Sequence, residues 1–157
     1  MTIDSTSAES NLARLAIRLP EAPTPFGAYV PAIQTGSLLF LSGMLATIGH
    51  APAIVGILGK DLDLEAGRKA AYTSALNALA LTKKQLGSLN RVSRVVRLGV
   101  SVAATPEFIE HPKVADAASE LLRDVFGEGA VSTRLVIGVA SLPFGSPIAL
   151  EVILEVK

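Results

Sequence analysis

The composition of this 157-residue chain predicts one domain, because half of its residues are apolar and a chain of this length buries one core but not two. Fourteen basic residues balance fourteen acidic ones, and neither sign forms a long run, which argues against binding to nucleic acid or to a membrane surface. Cysteine is absent and only two histidines are present, which excludes disulfides, a thiolate nucleophile and a histidine-rich metal site. Because no apolar segment approaches the length of a membrane span, we expect a soluble cytoplasmic protein.

The N-terminal segment predicts a short helix followed by an extended arm. Leu12, Leu15 and Ala16 have helical spacing within residues 5–16. The next run, residues 19–25, contains three prolines, which cannot continue a helix. We therefore expect a helical extension at residues 1–18 and the main domain at residues 19–157.

Two apolar runs, at residues 28–33 and 38–41, predict a β-hairpin. The residues between them include Gly36, which supplies the positive φ that a tight hairpin connection often needs. Residues 46–60 then mix glycine and proline with aliphatic side chains. This mixture predicts a loop that carries one short strand.

A long amphipathic helix is predicted between Asp63, a residue type favoured at N-caps, and Gly87, a residue type favoured after the last turn. A half-buried strand follows at residues 94–102, because its side chains alternate with a period of two. Val96, Leu98, Val100 and Val102 form its apolar side, and Arg97, Gly99 and Ser101 form the other.

The second helix is marked by apolar residues at helical spacing and by Gly127 as a stop signal. These residues are Val114, Ala117, Ala118, Leu121, Leu122 and Val125. Two alternating strands end the chain, separated by a turn at residues 142–147. Their aliphatic sets are Leu135, Ile137 and Val139, and then Ile148, Leu150, Val152, Leu154 and Val156.

The order of these elements predicts an α+β fold, a single mixed sheet with two helices on one face. If the aliphatic sets of the last two strands pack beneath the helices, their other residues lie on the opposite face. Those residues are Arg134, Val136 and Gly138 in the first strand, and Ala149, Glu151, Ile153 and Glu155 in the second.

The uncovered face would mix apolar side chains with charges. Val136 and Ile153 are unfavourable in water, whereas Arg134 is costly to bury without a partner. A homo-oligomer with a solvated crevice satisfies both requirements, and Arg134 could then bind a carboxylate through two parallel hydrogen bonds. The alternative interpretation is structural, with Arg134 in a cross-strand ion pair with a neighbouring glutamate. Tyr29 could likewise serve only in hairpin packing.

Several segments occur in an order that resembles the YjgF/RidA family. They are residues 27–32 and 35–43 of the hairpin, the helix at residues 114–128, the pair Thr133-Arg134, and residues 139–143. The resemblance covers residues 19–156 and is strongest to a subgroup with an extra N-terminal helix. It implies a chorismate-mutase-like fold and a homotrimer whose sheets form a central barrel, with pockets at the subunit interfaces.

The resemblance also implies roles for particular residues. Arg134 matches the arginine that binds the substrate carboxylate, and Tyr29 matches a tyrosine that lines the pocket. The matched Ser42 and Gly43 precede a glutamine in the family, which here is Met44. Asp116 stands where the family commonly has asparagine.

Two departures from the family pattern concern the chemistry. The water-positioning glutamate falls on Ala149, and a position that is often cysteine is Val136. Glu151 lies on the same face as Ala149 but about 7 Å further along the strand, unless the preceding turn absorbs two residues. General base catalysis needs hydrogen-bond reach, so a deaminase activity is in doubt even though Arg134 and Glu151 are the candidate catalytic residues.

Three functions therefore compete. The first is hydrolysis of enamines or imines derived from amino acids, with Arg134 anchoring the carboxylate and Glu151 or a water handling the proton. The second is non-catalytic binding or sensing of a small carboxylate or keto acid, which Ala149 favours. An endoribonuclease is the least supported, because the charge is balanced and paired catalytic histidines are lacking. Expected partners are copies of the same chain and the small acid, without nucleic acid, membrane or cofactor.

Overall fold

Two long helices cover one face of a mixed sheet in the computed structural model, which describes residues 7–157. The helices are α1 (Ala8–Arg14), α2 (Leu64–Leu86) and α3 (His111–Phe126). The strands are β1 (Ala32–Thr35), β2 (Leu38–Leu41), β3 (Met44–Leu45), β4 (Thr47–Ile48), β5 (Ala51–Pro52), β6 (Val92–Ala103), β7 (Thr133–Val139) and β8 (Ile148–Val156). The main sheet has the order β1-β2-β8-β6-β7, β3 also pairs with β8, and β6 and β7 run parallel.

The helix α2 begins and ends at its predicted cap residues, and α3 ends at the predicted stop residue Gly127. The side chain of Asp63 accepts a hydrogen bond from the N–H of Ala66, and Gly87 ends α2 with a φ of 84°. All six apolar residues that predicted α3 are buried in the core. Where α2 approaches α3, a Cβ on Gly67 would lie 3.2 Å from a methyl group of Val114 and 2.8 Å from one of Leu58 in the preceding loop, so a larger residue there would force these side chains to shift.

The core lies between the helices and the sheet, as the element order predicted. Leu98 of β6 pairs with Val152 of β8, and Val100 pairs with Leu150, so these four side chains point to the same face. All four are buried in one continuous cluster with α2 and α3. Burial of one such side chain stabilises the fold by about 1.5–3 kcal/mol. None of the helices among residues 7–157 combines the length and apolar character needed to cross a bilayer.

The prediction that Val96 joins the apolar side of β6 was wrong. The pairing of β6 with β8 shifts register between Val95 and Arg97, and Val95 is buried instead. An irregularity of this kind adds one residue to a strand and reverses the alternation before it. The predicted alternation holds from Leu98 onward.

The face assigned to β7 was also wrong. Arg134, Val136 and Gly138 pair with Leu98, Val100 and Val102 of β6, which places them on the helix face rather than the open one. Leu135 and Ile137, expected beneath the helices, lie on the open face and are 51% and 46% exposed. The strand β7 lies at the edge of the sheet, and its helix face meets the polar side of α3. Its aliphatic residues therefore do not pack beneath the helices.

The N-terminal helix packs against α3 and against the segment that precedes β6. Its Asn11 Nδ2 donates to the carbonyl oxygen of Val125 at 2.9 Å. Glu9 accepts hydrogen bonds from the N–H of Leu89 and from Lys83 Nζ, each at 2.9 Å. The predicted helix therefore forms within the described residues, and its predicted start at residue 5 lies outside them.

The hairpin and the loop after it differ in detail from the prediction. The turn lies at Gly36, whose φ is 57°, but the first strand begins at Ala32 rather than at residue 28. Residues 46–60 form the two-residue strands β4 and β5 rather than one short strand. Asn77 of α2 holds this region, because its buried Nδ2 donates to the carbonyl oxygens of Leu45 and Thr47.

Candidate functional site

The N-terminal arm and the hairpin enclose a cavity of about 410 Å³, here called the arm pocket. Its walls are residues 23–27 of the arm, Tyr29 and Pro31, residues 42–45, Thr47, Ala149, and Pro143 and Phe144 of the turn before β8, here called the tip. Five of the predicted binding residues meet in this pocket, namely Tyr29, Ser42, Gly43, Met44 and Ala149. No residue that lines the arm pocket carries a charge.

Hydrogen bonds within the chain hold the polar groups of this pocket. The Tyr29 hydroxyl accepts from the N–H of Phe26 at 3.0 Å, and the Ser42 hydroxyl donates to the carbonyl oxygen of Val30 at 2.6 Å. Thr24 Oγ1 lies 3.0 Å from His50 Nδ1. These contacts join the arm to the turn between β4 and β5 and hold residues 26–30 beside β2, and they leave mainly apolar surface toward the cavity.

Sequence reasoning missed the two phenylalanines of the arm pocket. The rings of Phe26 and Phe144 lie with centroids 4.9 Å apart at an angle of 45°. Phe144 has a φ of +60°, a left-handed conformation that is strained for a residue of its size. The sequence Pro143-Phe144-Gly145 indicated a turn, but nothing local indicated that its ring would meet Phe26 on the arm.

Arg134 lies in a second group, here called the arginine cluster, with Asp116 and Ser119 of α3. Its Nη1 donates to Asp116 Oδ1 at 2.7 Å and to Ser119 Oγ at 3.1 Å, and the side chain is 26% exposed. The expected cross-strand pair between Arg134 and a glutamate is therefore absent from the described residues. The glutamates of β8 pair with β6 instead, as Arg97–Glu151 at 3.3 Å and Arg94–Glu155 at 3.4 Å.

One copy of the chain does not bring the two groups together. Arg134 points to the helix face of β7, whereas Ala149 belongs to the open face of β8, and β6 separates the two strands. Two strand spacings amount to about 10 Å. Val136 lies on the side of Arg134, half-buried and packed against the core. The predicted site is thus divided into an uncharged pocket and a cation that lies elsewhere.

Glu151 is separate from the arm pocket. Ala149 pairs with Leu45 and Ser101, which places it in the pocket wall, and Glu151 follows one pleat period later, opposite Gly99. Within this chain Ala149, and not Glu151, lines the arm pocket. The Glu151 side chain is 62% exposed and borders a shallow cleft of about 250 Å³ on the open face.

Within the part of the chain that the structure describes, no three acidic or histidine side chains gather closely enough to hold a metal ion.

Known proteins and a known family match this chain over nearly its whole length. The sequence model of a family described as "YjgF/chorismate mutase-like, putative endoribonuclease" matches residues 9–156. Protein TCP17 of Trypanosoma cruzi is 38% identical over 149 residues, which are 94% of this chain and 93% of that protein. The crystal structure of Atu1372, a protein of unknown function from Agrobacterium tumefaciens, superimposes with a TM-score of 0.87 and 36% identity, covering 96% of this chain and 92% of that one. A 2-iminobutanoate/2-iminopropanoate deaminase of Dermatophagoides farinae is 25% identical over 143 residues, 90% of this chain and 95% of that protein.

Proposed function

This chain belongs to the YjgF/chorismate mutase-like family, and we propose on that premise that it binds a small carboxylate, an imino or keto acid, in pockets between the subunits of a homotrimer. The observation that carries the proposal is the division of the site within one copy. The arm pocket has five predicted binding residues but no charge, and the carboxylate-binding candidate Arg134 stands apart from it. Each group is half of a site that a second copy completes.

The open face supports assembly. Ile33, Phe40, Leu135 and Ile137 are exposed large apolar residues, and their pairings place them on the face away from the helices. Apolar surface of this kind, next to charges that are already paired, is typical of an interface between subunits. The trimer, with three sheets facing one another, is the arrangement that the family resemblance implies.

Arg134 retains the capacity to bind an acid. A guanidinium has five N–H donors, and the contacts to Asp116 and Ser119 both use Nη1. The remaining donors can approach a ligand carboxylate, with a charge-assisted hydrogen bond that is stronger than a neutral one. In this proposal Asp116 orients the guanidinium and Arg134 carries the recognition.

Binding is better supported than catalysis. Ala149 occupies the wall where a carboxylate would position water, and Glu151 is engaged with Arg97 on the open face. A general base has to lie within about 2.6–3.2 Å of the proton that it takes, or one water away. Hydrolysis of imines is the second candidate, favoured by the similarity to the deaminase of Dermatophagoides farinae. An endoribonuclease, the activity in the family description, is disfavoured by the balanced charge.

Calorimetric titration with pyruvate and 2-oxobutanoate tests the binding function. We expect binding by the wild-type protein and a loss of at least about tenfold in affinity in Arg134→Ala, because truncation removes the charge-assisted pair. Arg14→Ala, which removes an exposed arginine from α1, is the matched control and should bind like the wild type. Equal binding by Arg134→Ala would refute the role of Arg134, and no binding by wild type across a panel of keto acids would refute the proposal.

A coupled assay separates binding from hydrolysis. An amino-acid oxidase generates the imine, and its disappearance is followed with and without the protein. If the protein accelerates the decay and Arg134→Ala does not, the chain is a hydrolase. If neither changes the spontaneous rate while pyruvate still binds, the chain is a non-catalytic binder.

A further inference from the structure

The arm pocket is larger and more apolar than the side group of a two- or three-carbon acid requires. Its volume is about 410 Å³, which lies within the range of about 300–1,000 Å³ typical of pockets for drug-sized molecules. The side chains that enclose it include Phe26, Tyr29, Met44, Leu45 and Phe144. A methyl or ethyl group would leave most of this surface without contact.

Polar groups of the pocket are already engaged by the chain itself. Ser42 donates to Val30, and Tyr29 accepts from Phe26. The part of a ligand that enters the pocket therefore finds aromatic and aliphatic surface, with the Tyr29 hydroxyl hydrogen as one remaining donor. An apolar group gains more from this environment than a polar group, which would lose its hydration.

Phe144 is held in place by its backbone despite an unfavourable conformation. Its φ is +60°, and the residue is 57% exposed in one copy, so burial in the core does not explain the strain. Three hydrogen bonds hold the tip. The N–H of Gly145 donates to the carbonyl oxygen of Leu142, the N–H of Ser146 to that of Pro143, and the N–H of Gly56 to that of Gly145. Strain that persists at an exposed aromatic residue points to a role in binding.

We infer that the ligand is a carboxylate with an aromatic or similarly bulky apolar side group, as in an arylpyruvate or its imine. The side group occupies the arm pocket of one copy, in contact with Phe26 and Phe144. Its carboxylate reaches Arg134 of a neighbouring copy. The inference rests on the proposed function and adds to it the size and polarity of the acid.

Titration with phenylpyruvate and pyruvate tests this inference. Phenylpyruvate should bind wild-type protein at least about tenfold more tightly than pyruvate, because burial of its ring adds apolar contact. In Phe144→Gly that preference should fall to roughly threefold or less, because the variant lacks the ring that would contact the aromatic side group. Glycine adopts the left-handed backbone without strain, so the variant removes the ring without disturbing the tip.

Ile109→Ala is the control, because Ile109 is the most exposed of the large apolar residues and does not line the arm pocket. It should keep the preference for phenylpyruvate.

If both acids bind with equal affinity and need Arg134, the inference is wrong and the proposed function stands. If Phe144→Gly keeps the full preference, the inference is also wrong. If neither acid binds to the wild type, the proposed function fails, and the inference fails with it.

Discussion

Asp116 lies next to the proposed carboxylate site and departs there from the family pattern. Its Oδ1 accepts from Arg134 Nη1 at 2.7 Å, whereas the resemblance implies an asparagine there. An amide could orient the guanidinium equally well without repelling an incoming acid. The carboxylate of Asp116 instead offsets part of the positive charge of Arg134, so in the proposed site it would lower the affinity for an acid.

Asp116→Asn should therefore bind pyruvate more tightly than the wild type, by roughly threefold to tenfold at low ionic strength, because a like charge near the ligand is removed. Calorimetric titration measures the change, and added salt should reduce it. Asp124→Asn, on the same helix and outside the arginine cluster, serves as the control. Weaker binding by Asp116→Asn would mean that the carboxylate is needed to position Arg134.

At the scale of elements, the carboxylate of Glu9 connects α1 to the end of α2. Burial raises the pKa of Glu9, but the hydrogen bond from the N–H of Leu89 and the ion pair with Lys83 outweigh it, and the pKa lies below its usual value of 4.5. A carboxyl whose pKa is lowered in the folded state adds stability above its unfolded pKa. This contribution is lost as the pH falls through the lower, folded pKa.

Glu9→Gln should lower the free energy of unfolding at pH 7 by about 0.5–1 kcal/mol, a modest value because the pair is partly exposed. The difference from wild type should shrink as the pH falls from 4.5, the usual pKa of this group, through the lower pKa of the folded carboxyl, below which Glu9 is uncharged like glutamine. Urea unfolding at fixed protein concentration measures it. Glu21→Gln, which changes an exposed carboxylate of the arm, is the control for the change of charge at pH 7. A difference between Glu9→Gln and wild type that stays constant across pH would contradict the argument.

For the whole molecule, the open face decides whether the two half-sites can meet. Leu135 and Ile137 lie on the open face beside the Arg97–Glu151 ion pair. This face therefore has an apolar part and a charged part. An isolated chain would gain nothing from these exposed aliphatic residues. Their stabilising contribution arises only if another copy covers them.

Ile137→Glu should prevent assembly, because each interface would have to bury an unpaired charge. Sedimentation should shift from a trimer toward the 16.3 kDa of one chain, and binding of pyruvate should be lost with it. Ile109→Glu adds the same charge at a residue outside the open face and should leave the oligomer intact. If Ile137→Glu keeps both the assembly and the binding, the site does not lie at this interface.

The sequence by itself determined the features that depend on neighbours along the chain. The caps Asp63 and Gly87, the apolar stripe of α3 and the alternation of β8 all follow from backbone geometry over a few residues, and each was confirmed. Family membership was also evident from the sequence and is confirmed by the match over residues 9–156.

Only the tertiary structure decided which surfaces meet. A period of two shows that alternate residues share a face but not which face is covered, so the orientation of β7 was assigned wrongly. The alternative of a cross-strand pair between Arg134 and a glutamate is not met within residues 7–157, where Arg134 pairs with Asp116. The shift at Val95 and the contact of Phe26 with Phe144 likewise join segments distant in the chain. Such contacts depend on packing between elements, and no local pattern of residues encodes them.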